Sequence, residues 1–371
     1  MRAQLATVLA SALTMVLTVT GCARPDPAHE HRSVTASPRP TAHCPTDIGI
    51  APAWILRASD ADLERDMAAA RDAGATRFRF DVDWSLVEPK RGQFDWAPID
   101  RLVQAVTGHG MRPLGVLAYT PEWARIAGAV DRPDAPASHY PPAEPGDFAA
   151  FAKAAATRYA DVITDWEIWN EPNRASFWAP APDAGAYTAL LIAASQAIRT
   201  VQPQANIIAG ALAPGENHAD GEIDPITFAQ RIYDGGGRRA FTTMSIHPYT
   251  YPWMPTDPET TNWSTFQKIP RLHDLMVSKG DGAKPIWITE FGAPTGSDST
   301  SMSRTAQAEY LTAGISAARR LGYVPVILIY SIRDSGTDPN DPEHHFGLLT
   351  KDFEPKPGYR AVQRLAEVGL C

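Results

Sequence analysis

The chain has 371 residues, 44% hydrophobic and 20% charged, with a formal net charge of -8. That balance suits a folded chain with a large core, one that an α/β barrel can occupy as a single domain. The acidic surplus, with no basic cluster, excludes nucleic acid and anionic membrane surfaces as partners.

The first element is an export signal. Arg2 precedes an uncharged apolar run from Leu5 to Val19, too short to span a bilayer comfortably, and the run closes on Val19-Thr20-Gly21-Cys22. Residues 1–21 read as a lipoprotein-type signal with lipid attached at Cys22, or as an ordinary secretory signal in which that cysteine is incidental. Both readings export the protein. Residues 22–43, rich in Pro, His, Ser, Thr and Arg, cannot bury enough surface to fold and read as a tether. Within it, His29-Glu30-His31 reads as solvated rather than as a metal site.

From residue 44 to 371, short apolar runs alternate with amphipathic stretches in eight units, which predicts a single (β/α)8 barrel. The first strand is predicted near Asp47–Ala51, with a helix opening at Ser59. The second, Thr76–Val82, sets Phe78, Phe80 and Val82 on one side and Arg77, Arg79 and Asp81 on the other. So polar an inner face means either an internal ion pair between Arg79 and Asp81 or a polar site at the strand's end. A loop from Asp83 to Trp96 follows, then a helix carrying Ile99, Leu102, Val103 and Val106. The third strand, Arg112–Leu117, leads through Tyr119 and Trp123 into a long Pro- and Ala-rich loop that predicts one wall of a cleft. Further strands are expected at Val162–Trp169, Asn206–Ala211, Thr243–Ile246, Pro285–Glu290 and Val324–Tyr330, with a last helix at Pro357–Val368. Cys44 and Cys371 are expected to pair in an exported protein, because the first strand starts and the last helix ends on the bottom face. The acidic run from Asp338 to Glu343 reads as a turn, lacking the glycine and ligand order of a calcium loop.

Polar residues gather after the second, third, fourth, sixth and seventh strands, at the face where a barrel of this kind keeps its active site. The fourth strand ends on Asn170-Glu171-Pro172, and the seventh on Thr289-Glu290-Phe291 before Gly292, a glycine expected to permit a sharp turn. Two strands thus each deliver one carboxylate, which is what glycoside hydrolysis requires. These residues resemble the clan A glycoside hydrolases, and Arg79-Phe80-Asp81 with Trp84, Glu88-Pro89 and His247-Pro248-Tyr249 resemble family 39 and cellulase-like members most. The resemblance implies Glu171 as acid/base and Glu290 as nucleophile of a retaining reaction, with Glu171 kept protonated near neutral pH by the charge of Glu290. It further implies Asn170 on the sugar 2-hydroxyl, Tyr249 on the nucleophile, Arg79 beneath it and His247 in the same pocket. In the eighth unit, Tyr330-Ser331 stands where many clan members carry a tryptophan.

Trp123, Trp178 and Trp253, in loops at the active face, are expected to offer sugar platforms alongside Tyr119, whereas Trp54 and Trp166 read as core or rim. The implied partner is a β-xylan, a β-glucan or an envelope or exopolysaccharide, acted on by a monomer touching membrane only through its lipid anchor. No metal or cofactor is expected. A non-catalytic glycan-binding lipoprotein on the same fold and a transglycosylase stand as alternatives.

Overall fold

The computed structural model describes residues 46–52, 54–217 and 222–368, all within one compact unit. Cys22, Cys44 and Cys371, with the expected signal and tether, lie outside the described residues.

Eight parallel strands close into a barrel in chain order: β1 (Asp47–Ile50), β2 (Arg77–Asp83), β3 (Arg112–Ala118), β4 (Asp165–Asn170), β5 (Asn206–Leu212), β6 (Thr243–Ile246), β7 (Ile286–Phe291) and β8 (Val326–Ile329), which pairs back onto β1. The connections carry α1 (Asp60–Asp72), α2 (Trp84–Val87), α3 (Ala97–Gly108), α4 (Pro145–Arg158), α5 (Ala184–Arg199), α6 (Pro225–Asp234), α7 (Thr265–Ser278), α8 (Arg304–Leu321) and α9 (Pro357–Val368). Local sequence explains the starts. Ser59, Asp183, Asp224, Ser264 and Ser303 each accept a hydrogen bond from a backbone amide of the first turn, satisfying donors the helix itself cannot.

Most predicted boundaries shift by a residue or two. The stretch after β2, read as loop, forms the one-turn helix α2, because Asp83 accepts from the amides of Ser85 and Leu86. That turn buries Trp84 against Phe148, Phe151 and Trp123. The loop between β3 and α4 is packed by Ala135 and Tyr140 against Ala179.

Outward-facing strand residues such as Phe78, Phe80, Val82 and Ile168 are buried in the main apolar core. The barrel interior is different, since alternate residues of β2 and β4 meet there as charges. Arg77 pairs with Asp165 and lies over the Trp287 ring, 4.6 Å from its centroid. One layer higher, Arg79 pairs with Glu167. Charges persist at such depth only when paired and hydrogen-bonded, so this column dictates how β2, β4 and β7 face one another.

Candidate active site

Arg79 is the centre of the mouth. Its Nε donates to Glu167 at 2.6 Å, its Nη1 to Glu290 at 2.6 Å and its Nη2 to Asn170 at 2.7 Å. Glu167 is fully buried and also accepts from Ser245 Oγ at 2.6 Å and Thr289 Oγ1 at 2.8 Å. Burial alone would weaken the guanidinium's hold on its proton, but the charges of Glu167, Glu290 and Asp81 reverse that, so Arg79 is a fixed cation. The two readings of the second strand therefore resolve into something else: Arg79 is paired, but with β4 and β7 rather than by hydrogen bonding to Asp81.

At the end of β4 the chain turns sharply. Trp169 and Glu171 adopt left-handed backbone conformations, with φ of 73° and 44°, on either side of Asn170. Such conformations are unfavourable for side chains of this size and persist where surroundings over-determine them. Here the surroundings are identifiable. Trp169 Nε1 donates to the Phe177 carbonyl at 2.7 Å, and Asn173 clamps Ala213 and Ile223. Strand β5 approaches the kinked β4 so closely that a Cβ at Gly210 would collide with the Ile168 carbonyl oxygen.

The turn carries Glu171 to His247, which follows β6. His247 Nδ1 lies 2.8 Å from Glu171 Oε1 and 3.4 Å from Glu290 Oε2, and its buried Nε2 has no hydrogen-bond partner among the described residues. Tyr249, two residues on, donates from its hydroxyl to Glu290 Oε2 at 2.9 Å. Glu290 at the end of β7 thus accepts from Arg79 on one oxygen and Tyr249 on the other. Gly292 behind it lacks the positive φ of a sharp-turn glycine. It is small because Tyr330 crosses there, and a Cβ would strike the Tyr330 carbonyl.

The carboxyl of Glu171 departs from expectation. Burial raises its pKa, but the hydrogen bond and charge of His247 lower it further, leaving it below the usual carboxylate value in the ligand-free site. The dominant neighbour is therefore His247 rather than Glu290. Glu171, His247 and Glu290 present donor atoms all within 4.8 Å of one another, a spacing a cation would also accept, although Arg79 already supplies positive charge to Glu290.

The expected platforms separate. Trp253 is 51% exposed and meets Trp263 edge-on at 5.0 Å. Trp123 is half-buried, donating to the Glu88 carbonyl at 2.9 Å beneath Arg91. Tyr119, also at positive φ, stacks on His139 at 4.4 Å. Trp178 is not a platform: it is 1% exposed, wedged between Trp169 and Tyr187, because the chain folds back beneath the mouth after Glu171. Trp166 is core, and Trp54 is 61% exposed. Sequence reading assigned no role to Glu167, nor to Tyr330 and Glu343, which hydrogen-bond at 3.0 Å beside Tyr249.

The chain matches the cellulase family over residues 43–327. It belongs to that family, glycosyl hydrolase family 5. Among solved structures, this glycosyl hydrolase is similar to a family 39 glycoside hydrolase from the gut symbiont Bacteroides cellulosilyticus WH2, with TM-score 0.69 and 28% identity, covering 88% of this chain and 64% of that one. It shares the fold of a monomeric beta-xylosidase from Caulobacter crescentus CB15, with TM-score 0.66 and 20% identity over 87% of this chain and 69% of that one. A beta-galactosidase, Bga, from Halorubrum lacusprofundi is 35% identical over 65 residues, 17% of this chain and 9% of that relative. This hydrolase thus spans less than two thirds of the Bacteroides and Halorubrum proteins. The clan A and family 39 resemblance read from the motifs agrees with these matches.

Proposed function

We propose that this chain is a retaining glycosidase that cleaves O-glycosidic bonds of a polysaccharide or oligosaccharide of the β-xylan, β-glucan or envelope polysaccharide kind. The observation that carries the reading is the short spacing of Glu171 and Glu290, which present carboxylate oxygens within 4.8 Å of one another. Retention uses carboxyls roughly 5–5.5 Å apart, a separation at which facing oxygens come as near as these, whereas inversion needs roughly 6.5–9.5 Å to admit a water between them.

On this reading Glu290, paired with Arg79 and oriented by Tyr249, attacks the anomeric carbon. The bond to the leaving oxygen breaks as that oxygen takes a proton delivered through Glu171, which His247 positions by a hydrogen bond. A glycosyl ester on Glu290 results, and its charge is gone. Glu171, as a carboxylate after that transfer, removes a proton from water, which attacks the same carbon and restores Glu290. Asn170, fixed by Arg79, is placed for the neighbouring hydroxyl. The run of Tyr249, Tyr251 and exposed Trp253 supports an aromatic path leading away from the reacting centre.

The test is proton NMR of the first-formed product during hydrolysis of 4-nitrophenyl β-glycosides and of xylan, β-glucan, mannan and exopolysaccharide substrates. A retained anomer is expected, and an inverted one would remove Glu290 from the nucleophile's role.

We further propose that the protein is exported and held at a membrane by lipid on Cys22, with residues 22–43 as spacer and Cys44 bonded to Cys371. Intact mass of the membrane-fraction protein should show acylation of a chain beginning at Cys22 and two hydrogens fewer than the dithiol. An unacylated mass, or free thiols at both later cysteines, would overturn the corresponding part.

A further inference from the structure

One carboxylate at the mouth takes no part in the arrangement above. Asp81 lies two residues beyond Arg79 on the same inward face of β2, roughly 6.6 Å higher at the strand's rise per residue. It is half-buried, and no donor among the described residues hydrogen-bonds to it. Its neighbour Asp83 is a contrast, its Oδ1 accepting from Ser85 and Leu86 as it caps α2. The groups facing Asp81 are Arg79 and Asp83 on its own strand, Tyr119 after β3, Glu167 on β4 and Glu290 on β7. Arg79 donates to Glu167, Glu290 and Asn170 rather than to Asp81, so no hydrogen bond from the described residues completes Asp81.

A carboxylate left without donors in a partly dehydrated site is unfavourable for folding, because desolvation is not repaid by hydrogen bonds. Its presence at the centre of a mouth therefore points to donors that arrive from outside. The ligand expected there is a sugar ring, whose adjacent hydroxyls are neutral donors matched in spacing to the two oxygens of a carboxylate. Resting on the glycosidase reading above, we infer that Asp81 is a specificity-determining residue that accepts hydrogen bonds from ring hydroxyls of the sugar held against Glu290, at positions other than the one facing Asn170.

The charge state of the free site is consistent with this. Burial pushes the Asp81 carboxyl up to about 7, with Arg79 opposing and Asp83, Glu290 and Glu167 adding to the rise. A carboxyl raised in the folded state contributes stability that is full below its unfolded value and lost as pH climbs through its folded one. The unmodified protein should therefore lose stability relative to Asp81→Asn as pH rises through 7.

The experiment compares the unmodified enzyme with Asp81→Asn and Asp81→Ala. At pH 8, Asp81→Asn should melt no lower than the unmodified enzyme, and the difference between them should shrink by pH 5. With an aryl glycoside that the unmodified enzyme cleaves, Asp81→Asn should lower kcat/KM roughly 10- to 100-fold, the effect of losing hydrogen bonds to a charged acceptor. The decisive readout uses 3-deoxy and 4-deoxy analogues. Removing the recognised hydroxyl should cost the unmodified enzyme a similar factor and the variant almost nothing more. Losses that multiply independently at every ring position, or an Asp81→Asn variant melting several degrees lower at pH 8, would overturn the assignment while leaving the glycosidase reading intact. An unmodified enzyme that cleaves none of the substrates overturns the glycosidase reading instead, and this assignment with it.

Discussion

Glu290→Ala is expected to reduce kcat by a factor on the order of 10⁴ or more, and azide should restore turnover with a product of inverted configuration. The reason is geometric. Alanine removes the only carboxylate that Arg79 and Tyr249 jointly present to the mouth, and leaves a space in which a small anion can attack from the same side. The azide adduct is inverted because only one displacement then occurs. Glu171→Ala should behave differently, losing roughly 10²–10⁴ in rate on substrates with poor leaving groups while sparing aryl glycosides that depart unprotonated in the first step. If Glu290→Ala keeps more than a few per cent of activity, or if both variants respond alike to leaving-group quality, the division of labour between the two glutamates is wrong.

Arg79→Met should be the most damaging substitution for the fold. It strands Glu167, which is fully buried, with only Ser245 and Thr289 as donors, and it releases Glu290 and Asn170 together. Breaking a buried pair in this way costs roughly 3–5 kcal/mol, read as a fall in melting temperature of roughly 5–15 °C. The double variant Arg79→Met/Glu167→Leu should recover much of that stability, since no fully buried uncompensated charge remains, yet stay inactive because Glu290 and Asn170 still lack their common donor. A double variant no more stable than Arg79→Met would show that the pair is not what holds this part of the barrel together.

Much of this could be read from residues alone. Eight alternating units predicted the closed barrel, and Asn170-Glu171-Pro172 and Glu290 were placed at strand ends by local pattern, because the strands other than β2 are largely apolar and the polar residues stand out after them. Glu167 escaped because it sits inside such a run, between Trp166 and Ile168, where a charge makes sense only once Arg79 is known to face it across β3. A signal was present: Arg77 and Arg79 are separated by one residue, as are Asp165 and Glu167, so both pairs span the same length of chain. The proximity of His247 to Glu171 depended on a backbone turn at positive φ, which composition does not announce in a glutamate. Trp178 was misjudged for a related reason, since a loop tryptophan that folds back under its own strand looks the same in sequence as one that faces solvent.

The two stacked arginine–carboxylate pairs inside the barrel also bear on how the protein responds to heat. A barrel interior filled with branched aliphatic side chains adds to the heat capacity of unfolding, because its exposure to water is apolar, whereas exposing charged and polar surface subtracts from it. Arg77, Asp165, Arg79, Glu167, Ser245 and Thr289 occupy that space here. The dehydration penalty on such pairs eases on warming, while apolar stabilisation per unit area levels off. The interior of this barrel therefore flattens the curve of stability against temperature, giving up some strength near room temperature and keeping more of it in the heat.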